Sequence, residues 1–245
     1  MNQILQTKYL YKHFDGVKAV DKLSLSFEQG KITAVIGPNG SGKSTLINLL
    51  TGFVPFDSGE MVIAGKLHFT KVKCNEVAGY GLTRTFQDVR LFEQMPVLDN
   101  VLVVLTERSV WGSLFEKHGA LHLAKAEEVL TRVGLWEKRR ELARNLSYGQ
   151  RKLLEIARML AMNPEIIFFD EPFAGLFPEM RRVVVSVMQE LRSAGKTQIL
   201  VEHNMELIRE LADHIFVLDS GELLAEGKPS EVLSKRDVIE AYLGE

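Results

Sequence analysis

The chain has 245 residues, a length that allows one large domain or a core with an added subdomain. Its composition, 46% hydrophobic and 25% charged, is that of an ordinary globular protein that can bury a substantial core. The formal net charge of −2 provides no global basic field, so we expect no nucleic-acid partner. A single cysteine, Cys74, excludes an intramolecular disulfide and a metal cage built from cysteines.

The sequence contains no obvious targeting or membrane-spanning segment. The N-terminal residues lack the apolar stretch of a secretory signal, and no run approaches the roughly 18 apolar residues that a membrane span needs. We therefore expect a cytoplasmic protein in which any membrane role depends on a partner.

The first third of the chain predicts β structure followed by a glycine-rich loop. Between residues 23 and 27, leucine and phenylalanine alternate with serine, which is typical of a half-buried strand. Residues 32–36 (ITAVI) form a continuous apolar run, as in a strand buried on both faces. The glycine-rich residues 37–45 follow and lead into a helical pattern, and residues 60–70 predict short strands around a turn.

The rest of the chain alternates helical patterns with apolar runs. From Leu98 to about Leu160 the pattern is mainly helical, with loops expected near Gly112, Gly119 and Gly134. A turn at residues 219–222 predicts a final hairpin. Strands that alternate with helices predict a mainly parallel sheet. The further buried strands are expected in EIIFFD (165–170), QILVEH (198–203) and HIFVLD (214–219).

Residues 37–45, GPNGSGKST, fit the pattern G-x-x-x-x-G-K-[ST] between a buried strand and a helix, the context of a nucleoside-triphosphate loop. Its glycines let the backbone curl so that N–H groups point at phosphate oxygens. Lys43 is expected to reach the β and γ phosphates, and Ser44 to bind Mg²⁺. The alternative, a glycine- and serine-rich turn with a chance lysine, does not explain the flanking strand and helix.

Two adjacent carboxylates end the apolar run IIFFDE (166–171). In a protein with a phosphate loop, Asp170 is expected to hold Mg²⁺ through its water shell. Glu171, one residue further, is placed to orient or deprotonate a water that attacks the γ phosphate. The alternative is a pair of solvated charges at a strand end.

Two further residues become candidates for this site because the phosphate loop and the carboxylates are present. His203 follows the run QILVE and is a candidate hydrogen-bond donor to the γ phosphate. Gln87 carries a neutral amide that can ligate Mg²⁺ or a water without adding charge. Each residue taken alone would be read as a surface or structural side chain.

Residues 145–160, NLSYGQRKLLEIARML, predict a helix with an unusual start. Ser147 can cap the helix while Gln150 reaches back to it, which is a capping box. The small residues around Gly149 exceed what a cap needs, so the alternative is a helix N-terminus that binds an anion.

Taken in chain order, these elements resemble the ATPase subunits of ABC transporters over nearly the whole chain. The resemblance implies an α/β fold: a P-loop NTPase (RecA-like) core with a mainly parallel sheet, an N-terminal antiparallel β subdomain and an inserted α-helical signature subdomain. It implies one ABC ATPase domain over 1–245, with the core and β subdomain at about 1–87, more core at about 161–245 and the helical subdomain at about 88–160. The motifs that carry the resemblance are GPNGSGKST (37–45), Gln87, LSYGQ (146–150), IIFFDE (166–171), AGLFP (174–178) and His203.

The resemblance also implies the ligands, ATP and Mg²⁺, and a role for each site residue. Phe14 would stack on adenine, with Tyr11 as the alternative. The metal ligands would be Ser44, Gln87 and Asp170, and the catalytic residues Lys43, Glu171 and His203. The nucleotide-binding residues would be Phe14, Gly37, Pro38, Asn39, Gly40, Ser41, Gly42, Lys43, Ser44, Thr45, Gln87, Ser147, Gly149 and Gln150.

Partners follow from the same resemblance. Two ATPase subunits, identical or related, would pack head to tail, so that Ser147, Gly149 and Gln150 contact the γ phosphate held by the partner. Residues 174–176 would cross that interface. Residues 87–101 would face multi-span membrane permease subunits. The apolar part of this contact would be Phe92, Met95 and Pro96; the alternative is that these three are core residues under a loop. The chain would sit at the cytoplasmic face of the cell membrane and serve an extracytoplasmic substrate-binding protein indirectly.

Less general features resemble the importers of branched-chain amino acids. They include RTFQ (84–87), Tyr148 in the signature, VEHNM (201–205) and the ending AYLGE. The alternatives are a soluble ABC-family ATPase in a non-transport role, a P-loop kinase and a non-catalytic structural subunit. A kinase would need a lid and an acceptor site, and a structural subunit would be expected to lack Glu171 or Lys43.

Overall fold

The structure, a computed structural model, describes residues 2–105 and 119–243. The loop expected at Gly112 lies outside the described residues. The strands are β1 (Gln3–Phe14), β2 (Val17–Leu23), β3 (Ser26–Glu28), β4 (Ile32–Ile36), β5 (Ser58–Ile63), β6 (Leu67–Phe69), β7 (Leu82–Arg84), β8 (Ile166–Asp170), β9 (Thr197–Val201), β10 (His214–Asp219) and β11 (Glu222–Gly227).

The helices show the same order as the predicted patterns. Short 3₁₀ turns cover Ala78–Tyr80, Trp136–Lys138 and Ala143–Asn145. The α-helices are α1 (Lys43–Leu50), α2 (Cys74–Val77), α3 (Val97–Leu105), α4 (Gly119–Arg132), α5 (Tyr148–Ala161), α6 (Pro178–Ser193), α7 (Met205–Leu211), α8 (Pro229–Val232) and α9 (Arg236–Leu243).

The chain divides into two compact units. The first unit contains the residues up to 84, residues 165–171 and the residues from 187 onward. The second unit contains Thr85–Pro164 and Pro172–Ser186. The segment 88–160, expected from the sequence to be a helical subdomain, lies within the second unit together with the first half of α6.

Both sheets found in the described residues belong to the first unit. The larger has six strands in the order β11-β10-β4-β9-β8-β7, in which all neighbours are parallel except the hairpin of β10 with β11. The other is antiparallel, in the order β2-β1-β5-β6, with β3 also paired to β1. The predicted mainly parallel sheet with an added antiparallel sheet is confirmed.

The apolar core of the first unit explains why the buried runs form strands. One cluster joins the antiparallel sheet, α1 and one face of the parallel sheet, and the other face of the parallel sheet packs against α7, α8 and α9. Every residue of β4, β8 and β9 is buried, as the uninterrupted apolar runs predict. The first cluster includes Phe27, Leu46, Leu50, Met61, Phe168 and Ile199.

One strand boundary differs from the sequence prediction. The strand expected at 198–203 ends at Val201, because the Glu202 carboxylate accepts the N–H groups of His203 and Asn204 and replaces the sheet ladder there. Gly119, near which a loop is expected, belongs to α4, which continues through a sequence rich in alanine and leucine. The residues before Gly119 lie outside the described part of the chain, so the expected loop stays a prediction.

In the second unit, α3, α4 and α5 pack on one another. Their contact faces are apolar and fully buried, which follows from the helical spacing of leucine, valine and alanine. In the described part of the chain, no helix combines the length and apolar character needed to cross a membrane. Buried residues of this core are Val97, Val101, Ala126, Val129, Leu130, Leu154 and Ala157.

Candidate active site

The candidate site lies at the carboxyl edge of the parallel sheet, within the first unit. The glycine-rich loop follows β4, Glu171 follows β8, and His203 follows β9 by two residues. In the sheet register, Val35 of β4 and Asp170 of β8 both pair with Val201 of β9. The three strands therefore deliver their terminal groups to one edge, where open parallel sheets bind ligands.

Two glycines make the curl of the loop possible. At Gly37 the backbone has φ 150°, and an added Cβ would lie 2.0 Å from the carbonyl oxygen of Leu218. At Gly42 the backbone has φ 101°, and an added Cβ would lie 2.3 Å from the carbonyl oxygen of Ala19. Both positions exclude any side chain, so the loop conformation depends on glycine.

Lys43, the first residue of α1, is buried beneath this loop. Its Nζ donates hydrogen bonds to the carbonyl oxygens of Gly37 at 2.8 Å and Pro38 at 2.7 Å, and lies 3.4 Å from Ser41 Oγ. The ammonium group is therefore enclosed by the loop.

The N-terminus of α1 is suited to an anion. Among the described residues no side chain caps it, and its first turn contains no acidic residue. Its N–H groups and helix dipole therefore favour negative charge next to Gly42 and Ser44.

Asp170, at the end of β8, forms a buried ion pair that the sequence did not predict. Arg84 Nη2 donates to Asp170 Oδ2 at 2.9 Å, and both side chains are at least nine-tenths buried. The other guanidinium nitrogen, Nη1, donates to Asn48 Oδ1 at 2.6 Å and lies 3.3 Å from Thr51 Oγ1, so α1 also anchors the arginine. Arg84 thus fixes the carboxylate relative to the helix that follows the phosphate loop.

Glu171 and His203 meet directly. His203 Nε2 lies 3.2 Å from Glu171 Oε1, within hydrogen-bond distance. Glu171 has φ 48°, a left-handed conformation that is unfavourable for a residue with a Cβ, and its N–H donates to the Val201 carbonyl at 2.9 Å. The chain therefore leaves the sheet sharply after Asp170.

The turn that carries His203 is fixed from both sides. Glu202 Oε1 accepts the N–H groups of His203 at 3.0 Å and Asn204 at 3.1 Å. Asn204 in turn caps α7 by accepting from Glu206 and Leu207. Neither role was predicted from the sequence, although Asn204 directly before a helical pattern is a recognisable capping signal.

Phe14 ends β1 and is 43% exposed, so part of its ring is accessible. Lys12 Nζ lies 5.0 Å from the ring centroid and forms an ion pair with Asp57 at 2.7 Å. Tyr11, the alternative, is half-buried and pairs with Ser58 in the sheet.

The second unit contains the expected signature helix, α5, and its capping box is confirmed. The Gln150 N–H donates to Ser147 Oγ at 3.3 Å, and the Ser147 N–H donates to Gln150 Oε1 at 3.1 Å. At Gly149 an added Cβ would lie 2.4 Å from Met180 Sδ of α6. The small residues at this helix start therefore have a local structural reason.

Gln87 also lies in the second unit and is exposed. Downstream of it, Asn100 of α3 is fully buried and organises the turn at residues 92–96. Its Oδ1 accepts the Phe92 N–H at 2.9 Å, and its Nδ2 donates to the carbonyls of Phe92 and Pro96 at 3.0 Å. Phe92 itself remains 48% exposed, so it is not a core residue.

Glu155, on α5, is a buried carboxylate with an altered pKa. Burial raises the pKa of Glu155 from 4.5 to about 7, against the opposing effects of the Phe86 and Arg90 N–H groups and of the nearby charges of Lys152 and Arg158. Burial of the Arg158 guanidinium lowers its own pKa.

The predicted site residues are therefore distributed over both units. Among the described residues, no group of three or more His, Cys, Asp or Glu side chains forms a metal cage. The oxygen donors of Ser44, Gln87 and Asp170 are of the type that Mg²⁺ prefers when it also binds phosphates. The first unit holds Phe14, residues 37–45, Asp170, Glu171 and His203, and the second holds Gln87, Ser147, Gly149 and Gln150.

Comparison of the amino-acid sequence with known families gives two matches. Residues 20–174 match the ABC transporter family. Residues 222–245 match the branched-chain amino acid ATP-binding cassette transporter family. The high-affinity branched-chain amino acid transport ATP-binding protein LivG of Salmonella typhimurium is 38% identical over 251 residues, which cover 99% of this chain and 98% of the relative.

Solved structures resemble this chain over its length. The ADP conformation of an ATP-binding cassette of an ABC transporter has a TM-score of 0.85 and 36% identity and covers 100% of both chains. A dimeric post-hydrolysis state of an ATP-binding cassette bound to ADP and Pi has a TM-score of 0.80 and 25% identity. That match covers 92% of this chain and 99% of the other.

Replacing Arg84 by methionine tests the buried ion pair. We expect Arg84→Met to lower the free energy of unfolding by about 3–5 kcal/mol, because the buried Asp170 carboxyl group loses its guanidinium partner. Adding Asp170→Asn should recover part of this loss, as measured by urea denaturation. Strictly additive losses would contradict the pairing. The matched control is Arg236→Met, which breaks an exposed pair with Glu240 and should cost no more than about 1 kcal/mol.

The raised pKa of Glu155 predicts a pH dependence of stability. The native state binds the proton more tightly than the unfolded state, so this contribution is complete below pH 4.5 and is lost as the pH rises through about 7. The unfolding free energy of the wild type minus that of Glu155→Gln should therefore fall by roughly 3 kcal/mol over this range. Urea denaturation of both proteins at several pH values measures the difference, and a constant difference would contradict the assignment.

Proposed function

This chain belongs to the ABC transporter family of ATP-binding proteins, and from that premise we propose how its residues couple ATP hydrolysis to transport. The chain binds and hydrolyses ATP as the energy-supplying subunit of an ABC transporter. The proposal treats residues 1–245 as one ABC ATPase domain. The observation that carries the assignment of hydrolysis is the contact of Glu171 with His203 at the sheet edge that also bears the phosphate loop.

The first unit supplies binding and the base. The N–H groups of residues 37–45 and the N-terminus of α1 hold the phosphates, and Lys43 neutralises charge on the β and γ phosphates. Glu171 accepts the proton of the attacking water. His203, held by its contact with Glu171 and by the Glu202-bound turn, donates a hydrogen bond to the γ phosphate. Phe14 stacks on the adenine.

We assign the Mg²⁺ ligands to Ser44, Gln87 and Asp170. Bound Mg²⁺ would neutralise developing charge on the transferred phosphate. Arg84 keeps the Asp170 carboxylate in one orientation. Its positive charge also offsets the negative charge of this buried carboxylate.

A second ATPase subunit completes the site. We propose that Ser147, Gly149 and Gln150 contact the γ phosphate held by the partner, and that residues 174–176 cross the interface. ATP then favours the closed dimer only as far as it binds that state better than the open one, and hydrolysis removes the bridge. The dimeric structural relative bound to ADP and Pi supports the arrangement.

We propose that the transported substrates are branched-chain amino acids. The support is the full-length similarity to proteins named for that transport and the match of residues 222–245. The relatives' names favour transport over a soluble, non-transport role. In this proposal residues 87–101, with exposed Phe92, contact multi-span permease subunits at the cytoplasmic face of the cell membrane. A substrate-binding protein outside the membrane delivers the amino acid.

Replacing Glu171 by glutamine tests both hydrolysis and transport. In liposomes containing the permease subunits and binding protein, the wild type should drive uptake of leucine, isoleucine and valine. Glu171→Gln should lower hydrolysis roughly 10²–10⁴-fold, because the amide cannot accept the proton, and uptake should fall in parallel. ATP affinity should be retained.

The matched control for that experiment is Glu226→Gln, an exposed carboxylate on β11 whose loss should leave hydrolysis unchanged. Near-normal turnover of Glu171→Gln would rule out the base assignment. Normal hydrolysis without uptake of any branched-chain amino acid would rule out the substrate assignment alone.

Ser147 caps a helix in its own chain. A test of its role across the dimer therefore needs a variant that keeps the cap. Ser147→Asn retains an effective N-cap, whereas Ser147→Ala removes it. We expect both variants to lose turnover while the isolated chain retains its ATP affinity, because the serine would contact the partner's nucleotide. Normal turnover of Ser147→Asn would show that Ser147 acts only as a cap.

A further inference from the structure

In the second unit, an irregular segment connects two functional regions of the proposed transporter. Within the described residues, those from 85 to 92 lie in neither helix nor strand. The segment contains Gln87 near its start and the half-exposed Phe92 at its end. Such a segment has few bonds of its own, so its conformation depends on the elements against which it packs.

One buried side chain of α5 holds this segment at two points. The Phe86 N–H donates to Glu155 Oε1 at 3.2 Å. The Arg90 N–H also hydrogen-bonds the Glu155 carboxylate. The two bonded amides lie on either side of Gln87, so a single carboxylate closes the turn that presents the glutamine. Above its pKa of about 7 the Glu155 carboxyl group is charged, and hydrogen bonds to a charged acceptor are stronger than neutral ones.

A second side chain on the same face of α5 holds the end of the segment. Arg158, three residues after Glu155, donates from Nη1 to the Arg90 carbonyl oxygen at 2.5 Å. Its guanidinium lies 5.3 Å from the centre of the Phe92 ring. Arg90 in turn stacks on Phe86, with 4.2 Å between the guanidinium carbon and the ring centre. The segment is therefore attached to α5 from Phe86 to Phe92.

We propose that Glu155 is a positioning residue for Gln87, and that with Arg158 it fastens the Phe86–Phe92 segment to the helix that begins at Ser147. A displacement of Phe92 by a membrane partner is then shared by Gln87 and by α5, because hydrogen bonds at Phe86 and Arg90 and the Arg158–Phe92 ring contact join the segment to that helix. The coupling part of this inference depends on the proposed function, whereas the attachment itself does not. A carboxylate suits the role, since it accepts from two N–H groups that an apolar residue would leave buried and unbonded.

Hydrogen exchange of the isolated chain tests the attachment. At a pH above 7, where Glu155 is charged, the Phe86 and Arg90 amides should exchange about 10- to 100-fold faster in Glu155→Ala than in the wild type. This is the range expected for loss of a hydrogen bond to a charged group. Amides of α1 and β8, in the first unit, should exchange at wild-type rates. Glu155→Gln, which keeps one acceptor oxygen, should show intermediate protection and also serves if the alanine variant fails to fold.

The matched control is Leu154→Ala, which opens a cavity at the neighbouring buried position but keeps the carboxylate. It should raise the exchange of the whole second unit without a selective effect at Phe86 and Arg90. Unchanged exchange at these two amides in both Glu155 variants would overturn the attachment.

Hydrolysis tests the consequence for coupling. With permease present, Glu155→Ala should lower kcat about tenfold or more while the Kd for ATP changes by less than about twofold, the pattern of a lost positioning effect. Glu155→Gln should recover part of kcat. Faster exchange with unchanged kcat would overturn the positioning role. If the permease does not stimulate even the wild-type chain, the proposed function fails, while the exchange result still decides whether the segment is attached.

Discussion

Parallel pairing of β4, β9 and β8 determines where the phosphate loop, the two carboxylates and His203 of the first-unit site lie. Each strand is buried over its whole length, so a slip in register would draw polar residues from beyond its ends into the core. The loop that begins at Gly37, the carboxylates at 170 and 171, and the turn at His203 are consequently delivered to one edge. The left-handed backbone at Glu171 and the Glu202-bound turn adjust only the last residue or two of this arrangement.

The features that could be predicted from the sequence are those that depend on residues close together in the chain. The phosphate loop, the buried strands and the capping box of Ser147 with Gln150 each follow from residues that are neighbours in sequence. The Arg84–Asp170 pair joins residues far apart in the chain, and Arg84 looked in the sequence like one feature of a subfamily motif. Glu155 was missed for the same reason, since its partner Phe86 is far away in the sequence. Asn100 bonds Phe92 and Pro96 nearby in the chain, but a polar residue in a helical pattern does not reveal that it folds back on the preceding turn.

In the second unit, the signature residues Ser147, Gly149 and Gln150 also have structural roles within their own chain. Ser147 and Gln150 satisfy each other's backbone groups, and an added Cβ at Gly149 would displace the side chain of Met180. Ser147 and Gln150 would therefore stabilise the helix start even without a partner. A contact with the partner's ATP can add to this role because the hydroxyl and the helix N-terminus remain at the same end of α5.

The enclosure of Lys43 has a thermodynamic consequence for ligand binding. A solvent-exposed lysine loses up to about 2 kcal/mol of rotamer freedom when a ligand immobilises it. Here two loop carbonyls already restrict the side chain, so that loss occurs during folding and is not repeated when phosphate arrives. The fold thus preorganises the Lys43 side chain, which lowers the entropic cost of binding a nucleotide. Changes that loosen the loop should weaken affinity even where they remove no group that touches the phosphates.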